Sequence, residues 1–431
     1  MKRFIVSSDR SGSGKTLITS GIMRALSKKM KVAPFKVGPD FIDPGYHRLA
    51  TGEPSSNLDL WLMGRDEVIA ALFRYSKGRD IGVIEGVMGL YDGIGLSYST
   101  YEVSRVIKAP IVLVIDCSNL SSTASAIVSG LKDFGNAPVK GVIFNMVGSV
   151  GHFNYCKEGL EGVKVLGYIP YSEELKVPSR HLGLVTVEDE KKAESAISAA
   201  SRLVEQHVDL DSLVDIADQA NELNPAPYEN AEEATDKELA AVAYDSAFSF
   251  YYRDNLELIR SRHQLKFFSP LKNEKVDGAD LIYIGGGYPE LHLKELEAST
   301  QTRSWIKRAS EEGKKVLGEC GGLMYLSREI VGDRSYDMVG LFDISMKAKE
   351  KLVMHYTELE ALKPSMLAGA GDTLRGHEFH YSKVLSVGNV NFALKAKRGN
   401  GIENGFDGAL EYNSLGSYSH FYFRTLPHAS L

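Results

Sequence analysis

Along the first half of the chain, short runs of β-branched and aromatic residues alternate with stretches whose apolar positions recur every three or four residues. Phe4–Val6, Lys31–Val37, Ile81–Ile84, Ile111–Ile115 and Val139–Phe144 are strand-sized runs, with helical periodicity between several of them. That alternation predicts a mostly parallel α/β sheet. From about Ala193 the pattern is helical, and over Asn221–Asp236 (NELNPAPYENAEEATD) it dissolves into acidic, Asn/Pro/Glu-rich sequence without apolar periodicity. Strand and helix patterns resume at Leu239–Ala243, Phe248–Arg260, Leu265–Phe268, Asp280–Ile284 and Val316–Leu317. The expected layout is therefore an α/β domain over 1–220, a linker over 221–236 and a second α/β domain over 237–431.

The length agrees, since 431 residues exceed the ~250–300 at which a single core stops growing. The 50 basic and 56 acidic side chains are interspersed, with a formal charge of −6 and no dense Lys/Arg run, which argues against nucleic acid or an anionic membrane as partner. The longest apolar runs fall well short of the ~20 residues of a membrane helix, and the N-terminus lacks a signal-peptide shape, so a cytoplasmic protein is expected. Three cysteines, Cys117, Cys156 and Cys320, show no CxxC spacing, which supports neither a disulfide framework nor a zinc site but leaves room for a nucleophile.

The first candidate site follows the strand Phe4–Val6. Ser7–Thr16 (SSDRSGSGKT) precedes an amphipathic stretch, Leu17–Leu26, the strand–loop–helix setting of a phosphate loop. Gly12 and Gly14 would turn backbone N–H groups onto phosphate oxygens, Lys15 would bridge the β- and γ-phosphates, and Thr16 would offer its hydroxyl to Mg²⁺. Two further strand ends, PFKVGPDFIDPGYH (Pro34–His47) and VIEGVMGLYDG (Val83–Gly93), carry Asp40, Asp43, Glu85 and Asp92 at the edge where open α/β sheets bind ligands. Carboxylates beside a phosphate loop need a hard cation between them and the nucleotide, so Asp40, Asp43 and Glu85 are metal candidates. Asp40 and Asp43 beside prolines, and Asp92 before a glycine, also fit simple turn closure. Lys36 could neutralise a transferring phosphoryl group or a substrate carboxylate; a snorkelling surface lysine is the alternative.

The second candidate is Val316-Leu317-Gly318-Glu319-Cys320-Gly321-Gly322-Leu323, an apolar strand, a cysteine among small residues and an apolar helical run, the outline of a nucleophile elbow. The positive helix end is expected to lower the thiol pKa. Gly286 and Gly287, in the GGGYPEL segment after Ile284, and Gly321 are candidate oxyanion donors. His420, in YSHFYF, is either the activating base or a buried structural histidine. Arg375–Ser382 (RGHEFHYS) contains an HxxH spacing, but it is short, not an obvious helix and without a third ligand, so contacts to a polycarboxylate or to the other domain fit it better than zinc.

Taken together, SGSGKT, PFKVGPDFIDPGYH, NLDLWLMG, IEGVMGLYDG, GGGYPEL, GECGGLMYL and RGHEFHYS resemble, in order and spacing and across essentially the whole chain, the cobyrinate a,c-diamide synthase family. The resemblance implies a phosphate-loop NTPase-type synthetase domain similar to dethiobiotin synthetase, followed by a class I glutamine amidotransferase domain. It implies ATP, Mg²⁺, glutamine and a corrin polycarboxylate as ligands; oligomeric state is open, a homodimer being one option. By the same resemblance Cys320 is the glutaminase nucleophile and His420 its base, Asp43, Glu85 and Asp92 sit in ATP, metal and substrate loops, and Asn145 hydrogen-bonds adenine.

Three departures stand out. Asp9 occupies the place of the phosphate loop's opening glycine, GGGY replaces the more usual Pro-Gly-Gly-Tyr, and Tyr422 stands where class I amidotransferases carry a triad Glu two residues after the histidine. The last implies a Cys–His dyad with slow glutamine hydrolysis. The expected reaction is carboxylate phosphorylation by Mg-ATP to an acyl phosphate, with ammonia released from glutamine at Cys320. Nickel-sirohydrochlorin or hydrogenobyrinate as the ring, and a MinD-like ATPase switch with an inactive amidotransferase module, are the competing readings. Cobyric acid synthases tend to carry Asn in place of the Asp-containing PDFIDP.

Overall fold

The computed structural model describes residues 1–175, 187–224 and 237–427. The chain divides into two compact units, Met1–Tyr228 and Glu229–Leu431. Of the expected linker, residues 225–236 lie outside the described part. Its first two residues are tied to the first unit, the Asn221 carbonyl accepting from Arg3 at 2.5 Å and that of Glu222 from Lys108 at 2.9 Å.

The first unit is built on seven strands: β1 (Lys2–Ser8), β2 (Val32–Val37), β3 (Ser56–Leu58), β4 (Ile81–Glu85), β5 (Ile111–Asp116), β6 (Val139–Val147) and β7 (Lys164–Pro170). They lie in the order β3-β2-β4-β1-β5-β6-β7 with every neighbouring pair parallel. Strands covered on both faces read as unbroken apolar runs, and Phe4, Ile5, Val6, Val83, Ile84 and Ile111–Ile115 are fully buried. The two strands absent from the sequence expectation are weak signals: β3 has three residues, and β7 (KVLGYIP) is interrupted by Gly167 and ends on Pro170. Helix α1 (Lys15–Ser27) buries Ile18, Ile22, Met23 and Leu26 against Phe4, Val6, Val112 and Val114, the face its i, i+4 spacing dictates. Because β1 lies between β4 and β5, the strand order reverses beside it, and the loops leaving the C-terminal ends of β1, β2 and β4 meet at that point.

The second unit carries a ten-stranded sheet. Its parallel half runs His263–Phe268, Glu238–Ala243, Leu281–Ile284, Lys315–Glu319, Ser414–Ser417. An antiparallel half follows: Phe406–Glu411, Asn391–Arg398, Val353–Ala361, Thr373–His380 and His420–Phe421. A smaller four-stranded sheet contains Phe342–Lys347 and Lys383–Val387. Ile282, Ile284, Val316 and Leu323 pack in one core on one side of the parallel strands, and Tyr283, Leu317 and Leu415 in another on the opposite side, the alternation a pleated strand imposes. No described helix is long and apolar enough to cross a membrane.

Candidate active sites

The phosphate loop leaves β1 at Ser8 and enters α1 at Lys15, with Gly14 as the helix N-cap at φ +83°. Glycine is needed there twice over: the left-handed backbone disfavours a Cβ, and one placed on it would lie 2.5 Å from Asn145 Nδ2. Asp9, where an opening glycine is usual, is paired with Arg10, which also reaches Asp116 at 3.1 Å, so its charge is answered locally. Lys15 Nζ donates to the Met88 carbonyl at 2.6 Å and to Ser8 Oγ at 3.2 Å. Burial, with Lys36 nearby, lowers its pKa below the ordinary lysine value.

Glu85, at the end of β4, is the hub of this site. One oxygen accepts from the Thr16 hydroxyl at 2.6 Å and from Lys36 at 3.1 Å, and the other meets His47 Nε2 at 2.6 Å. His47 lies in the helix α2 (Asp43–Thr51) and its other ring nitrogen is held by Ser55 Oγ at 2.9 Å. Lys36 Nζ also lies 2.5 Å from Asp43 and 3.8 Å from Asp40. Burial pushes the Lys36 pKa down, but Asp43, Glu85 and Asp40 outweigh it and hold the ammonium well above its usual range. Glu85 is driven up by burial and more strongly down by Lys36, His47 and Lys15, so it stays ionised. Asp43 is raised, by burial and by the charges of Asp40 and Glu85.

Asp40, Asp43 and Glu85 therefore converge, but around the Lys36 ammonium. Among the described residues no group of three or more His, Cys, Asp or Glu is arranged to hold a metal by itself. The snorkelling alternative for Lys36 fails, since it is 2 % exposed. Asp40 additionally closes a turn, accepting from the backbone N–H groups of Ile42 and Asp43 at 2.7 and 3.1 Å. What fits Mg²⁺ is the Thr16 hydroxyl beside the Glu85 carboxylate, a neutral and an anionic oxygen next to the phosphate loop, because Mg²⁺ takes few carboxylates and completes its shell with phosphate oxygens and water.

Asp92 accepts from the Gly89 N–H at 2.8 Å and closes a tight turn. Asn145 donates through Nδ2 to the Ser13 carbonyl at 2.8 Å, whereas Oδ1 is buried without a partner. One of its two N–H donors is thus spent on the phosphate loop, and the other donor and the acceptor remain for a base.

In the second unit Cys320 sits between the strand Lys315–Glu319 and the short helix Gly321–Leu326 at φ +51°, ψ −100°, a backbone that a side-chain-bearing residue adopts under strain. Glycines allow the fold around it: a Cβ on Gly322 would come within 2.0 Å of the Ile284 carbonyl, and one on Gly321 within 3.1 Å of Gly287 N. Gly321 and Gly287 are thus brought side by side. His420 packs on Gly286, where a Cβ would lie 2.3 Å from its Cε1, and stacks on His377 at 4.8 Å. Glu319 joins these parts, accepting from the Tyr283 hydroxyl at 2.6 Å and from the Phe421 N–H, next to His420, at 3.0 Å.

The charge state differs from the sequence expectation. Burial first, then the charge of Glu290, pushes the Cys320 thiol well up, against the small opposing pull of the Gly321 N–H; its S–H donates to the Phe379 carbonyl at 3.3 Å. Removal from water outweighs the field of a one-turn helix. Burial likewise lowers His420 to about 3, leaving a neutral imidazole.

A small pocket opens at the thiol, lined among others by Gly287, Glu290, His380 and Ser382. Sequence reasoning missed three residues here and at the first site: His47, Glu290 and His380. His47 and His380 stood within quoted motifs, PGYH and HEFHYS, and Glu290 within GGGYPEL, so the segments were visible while the roles were not. His380 Nδ1 lies 3.0 Å from the Ser382 carbonyl, to which it can only donate.

Comparison with known proteins gives the same division. Residues 4–185 match the CobQ/CobB/MinD/ParA nucleotide binding domain, and residues 240–427 match the CobB/CobQ-like glutamine amidotransferase domain. A protein of Sulfurisphaera tokodaii named cobyrinate a,c-diamide synthase is 58% identical over 424 residues, covering 98% of this chain and 97% of its own. Proteins of the same name from Sulfolobus acidocaldarius, at 56%, and Methanocaldococcus jannaschii, at 42%, are covered to 97% and 96% of their lengths by 98% and 97% of this chain. The chain belongs to the cobyrinate a,c-diamide synthase family of glutamine-dependent amidating ligases.

Proposed function

We propose that the protein converts the a- and c-side-chain carboxylates of cobyrinate into carboxamides, consuming ATP and glutamine in cobalamin biosynthesis. The observation that carries this reading is the pairing, on one chain, of a phosphate loop whose Thr16 meets the Glu85–Lys36 cluster with a cysteine held at a strained elbow beside two glycines.

A substrate carboxylate oxygen attacks the γ-phosphorus of ATP and ADP leaves, giving an acyl phosphate. Lys15 and the loop N–H groups hold the phosphates, and Lys36 neutralises the charge that accumulates between nucleotide and carboxylate. Thr16 and Glu85 would hold Mg²⁺, which when bound supplies charge neutralisation of the phosphate oxygens. At the other site the sulfur of Cys320 attacks the glutamine carboxamide, with His420 as the base and the Gly287 and Gly321 N–H groups receiving the oxyanion. Ammonia departs, water hydrolyses the thioester to glutamate, and the ammonia displaces phosphate from the acyl phosphate to leave the amide.

The test is mass spectrometry of cobyrinate incubated with ATP, Mg²⁺, glutamine and the protein. Conversion of two carboxylates to amides is expected. Amidation of nickel-sirohydrochlorin or hydrogenobyrinate with cobyrinate untouched would move the ring assignment, and ATP turnover without amidation of any ring would overturn the ligase reading.

A further inference from the structure

The cavity at Cys320 contains one carboxylate, Glu290, and neither lysine nor arginine lines it. Glu290 stands on the turn Pro289–Leu291, directly after the Gly286–Gly287 segment that faces Gly321. Among the described residues its carboxyl has its own backbone N–H as hydrogen-bond partner and no ion pair. Lys349 lies in its field and is exposed, but forms no ion pair with it. A half-buried carboxylate with no counter-cation is costly, and burial raises this carboxyl to about 7. A group left in that condition beside a nucleophile is matched to a cation arriving with the substrate. L-Glutamine brings one, an α-ammonium at the far end from the carboxamide that Cys320 attacks.

Resting on the reading of Cys320 as the glutaminase nucleophile, we propose that Glu290 receives the α-ammonium group of L-glutamine and that the seated ammonium cancels the negative charge Glu290 presents to Cys320. The second half follows from the surroundings of the thiol. Three carboxylates act on it, Glu290 more strongly than Glu319 and Glu378, and the remaining titratable groups lining the cavity are Tyr288, His380 and Tyr381. Glu319 is already tied to Tyr283 and Phe421, and Glu378 accepts from the Asn400 and Gly401 N–H groups. Glu290 is the one of the three that a ligand entering the cavity can neutralise. The empty site then holds an unreactive thiol, and the correct amino acid itself promotes formation of the thiolate.

The experiment compares wild type with Glu290→Gln on two amides: L-glutamine and 4-carbamoylbutanoate, which is glutamine without its amino group. Wild type is expected to favour glutamine in kcat/KM by about 10- to 100-fold, the worth of a charge-assisted hydrogen bond. In Glu290→Gln the preference should fall to within about threefold, through a raised KM for glutamine, with ammonia-dependent amidation unchanged. Alkylation of Cys320 by iodoacetamide in glutamine-free protein, followed at its peptide, should be faster in the variant because a negative charge has gone. An unchanged preference, or equal losses on both amides, would overturn the role of Glu290. Absence of glutamine hydrolysis in wild type, or its survival in Cys320→Ala, would instead remove the reading of Cys320.

Discussion

The two sites handle charge in opposite ways. At the phosphate loop two lysines and the carboxylates of Asp40, Asp43 and Glu85 are interlocked, with Lys36 held as a cation and Glu85 as an anion although both are buried. At the cysteine site the thiol and the imidazole, with pKa about 3, rest neutral, Glu319 is raised to about 8, and the carboxylate of Glu290 has no cation built in beside it. Burial acts at both, and the difference lies in whether counter-charges are built in. A site that must receive a polyanionic nucleotide needs prearranged cations, and those cations need anions while the site is empty. A site that makes a nucleophile on demand is safer when the charge comes with the substrate.

That contrast can be broken at either end. Removing the proposed nucleophile has the largest expected effect: Cys320→Ala should lose glutamine-dependent amidation by ~10³-fold or more while ammonia-dependent amidation persists, both measured as amide formed. Equal loss of the two activities would break the separation of the sites. Lys36→Ala leaves Glu85 and Asp43 buried without their cation, and should lower the stability of the first unit by about 3–5 kcal/mol, read from urea melts.

The cysteine site makes a contrasting pH prediction. Glu319 has a folded pKa of about 8 against about 4.3 unfolded. Between these values the folded state binds more protons, so stability falls as pH rises through that window. Glu319→Gln removes the ionisation, and the variant should lose less stability than wild type between about pH 5 and 8 in melts at matched ionic strength. The smallest effect is at Asn145, whose alanine variant should raise the KM for ATP by about fivefold, or ~1 kcal/mol, with glutamine hydrolysis unaffected.

Both α/β units were legible in the sequence, and both candidate sites could be named from it, because a phosphate loop and a nucleophile elbow are local: strand, small residues, helix. Five of the seven strands in the first sheet showed as apolar runs, and β3 and β7 did not because brevity, Gly167 and Pro170 remove the signal. What the sequence could not show is what distant residues do to one another. Glu85 and His47 are 38 positions apart and 2.6 Å from contact partner to partner. That Asp40, Asp43 and Glu85 gather around Lys36 is not written in their spacing along the chain. The cysteine looks activated until its burial beside Glu290 is known.

The central claim is that the phosphate loop activates a carboxylate by phosphorylation. It is tested most directly with cobyrinate labelled with ¹⁸O in both oxygens of each carboxylate, turned over with ATP and ammonia by the Cys320→Ala protein. The expected result is one ¹⁸O in the inorganic phosphate for each amide formed, the other staying in the carboxamide. Amide formation with unlabelled phosphate would contradict it.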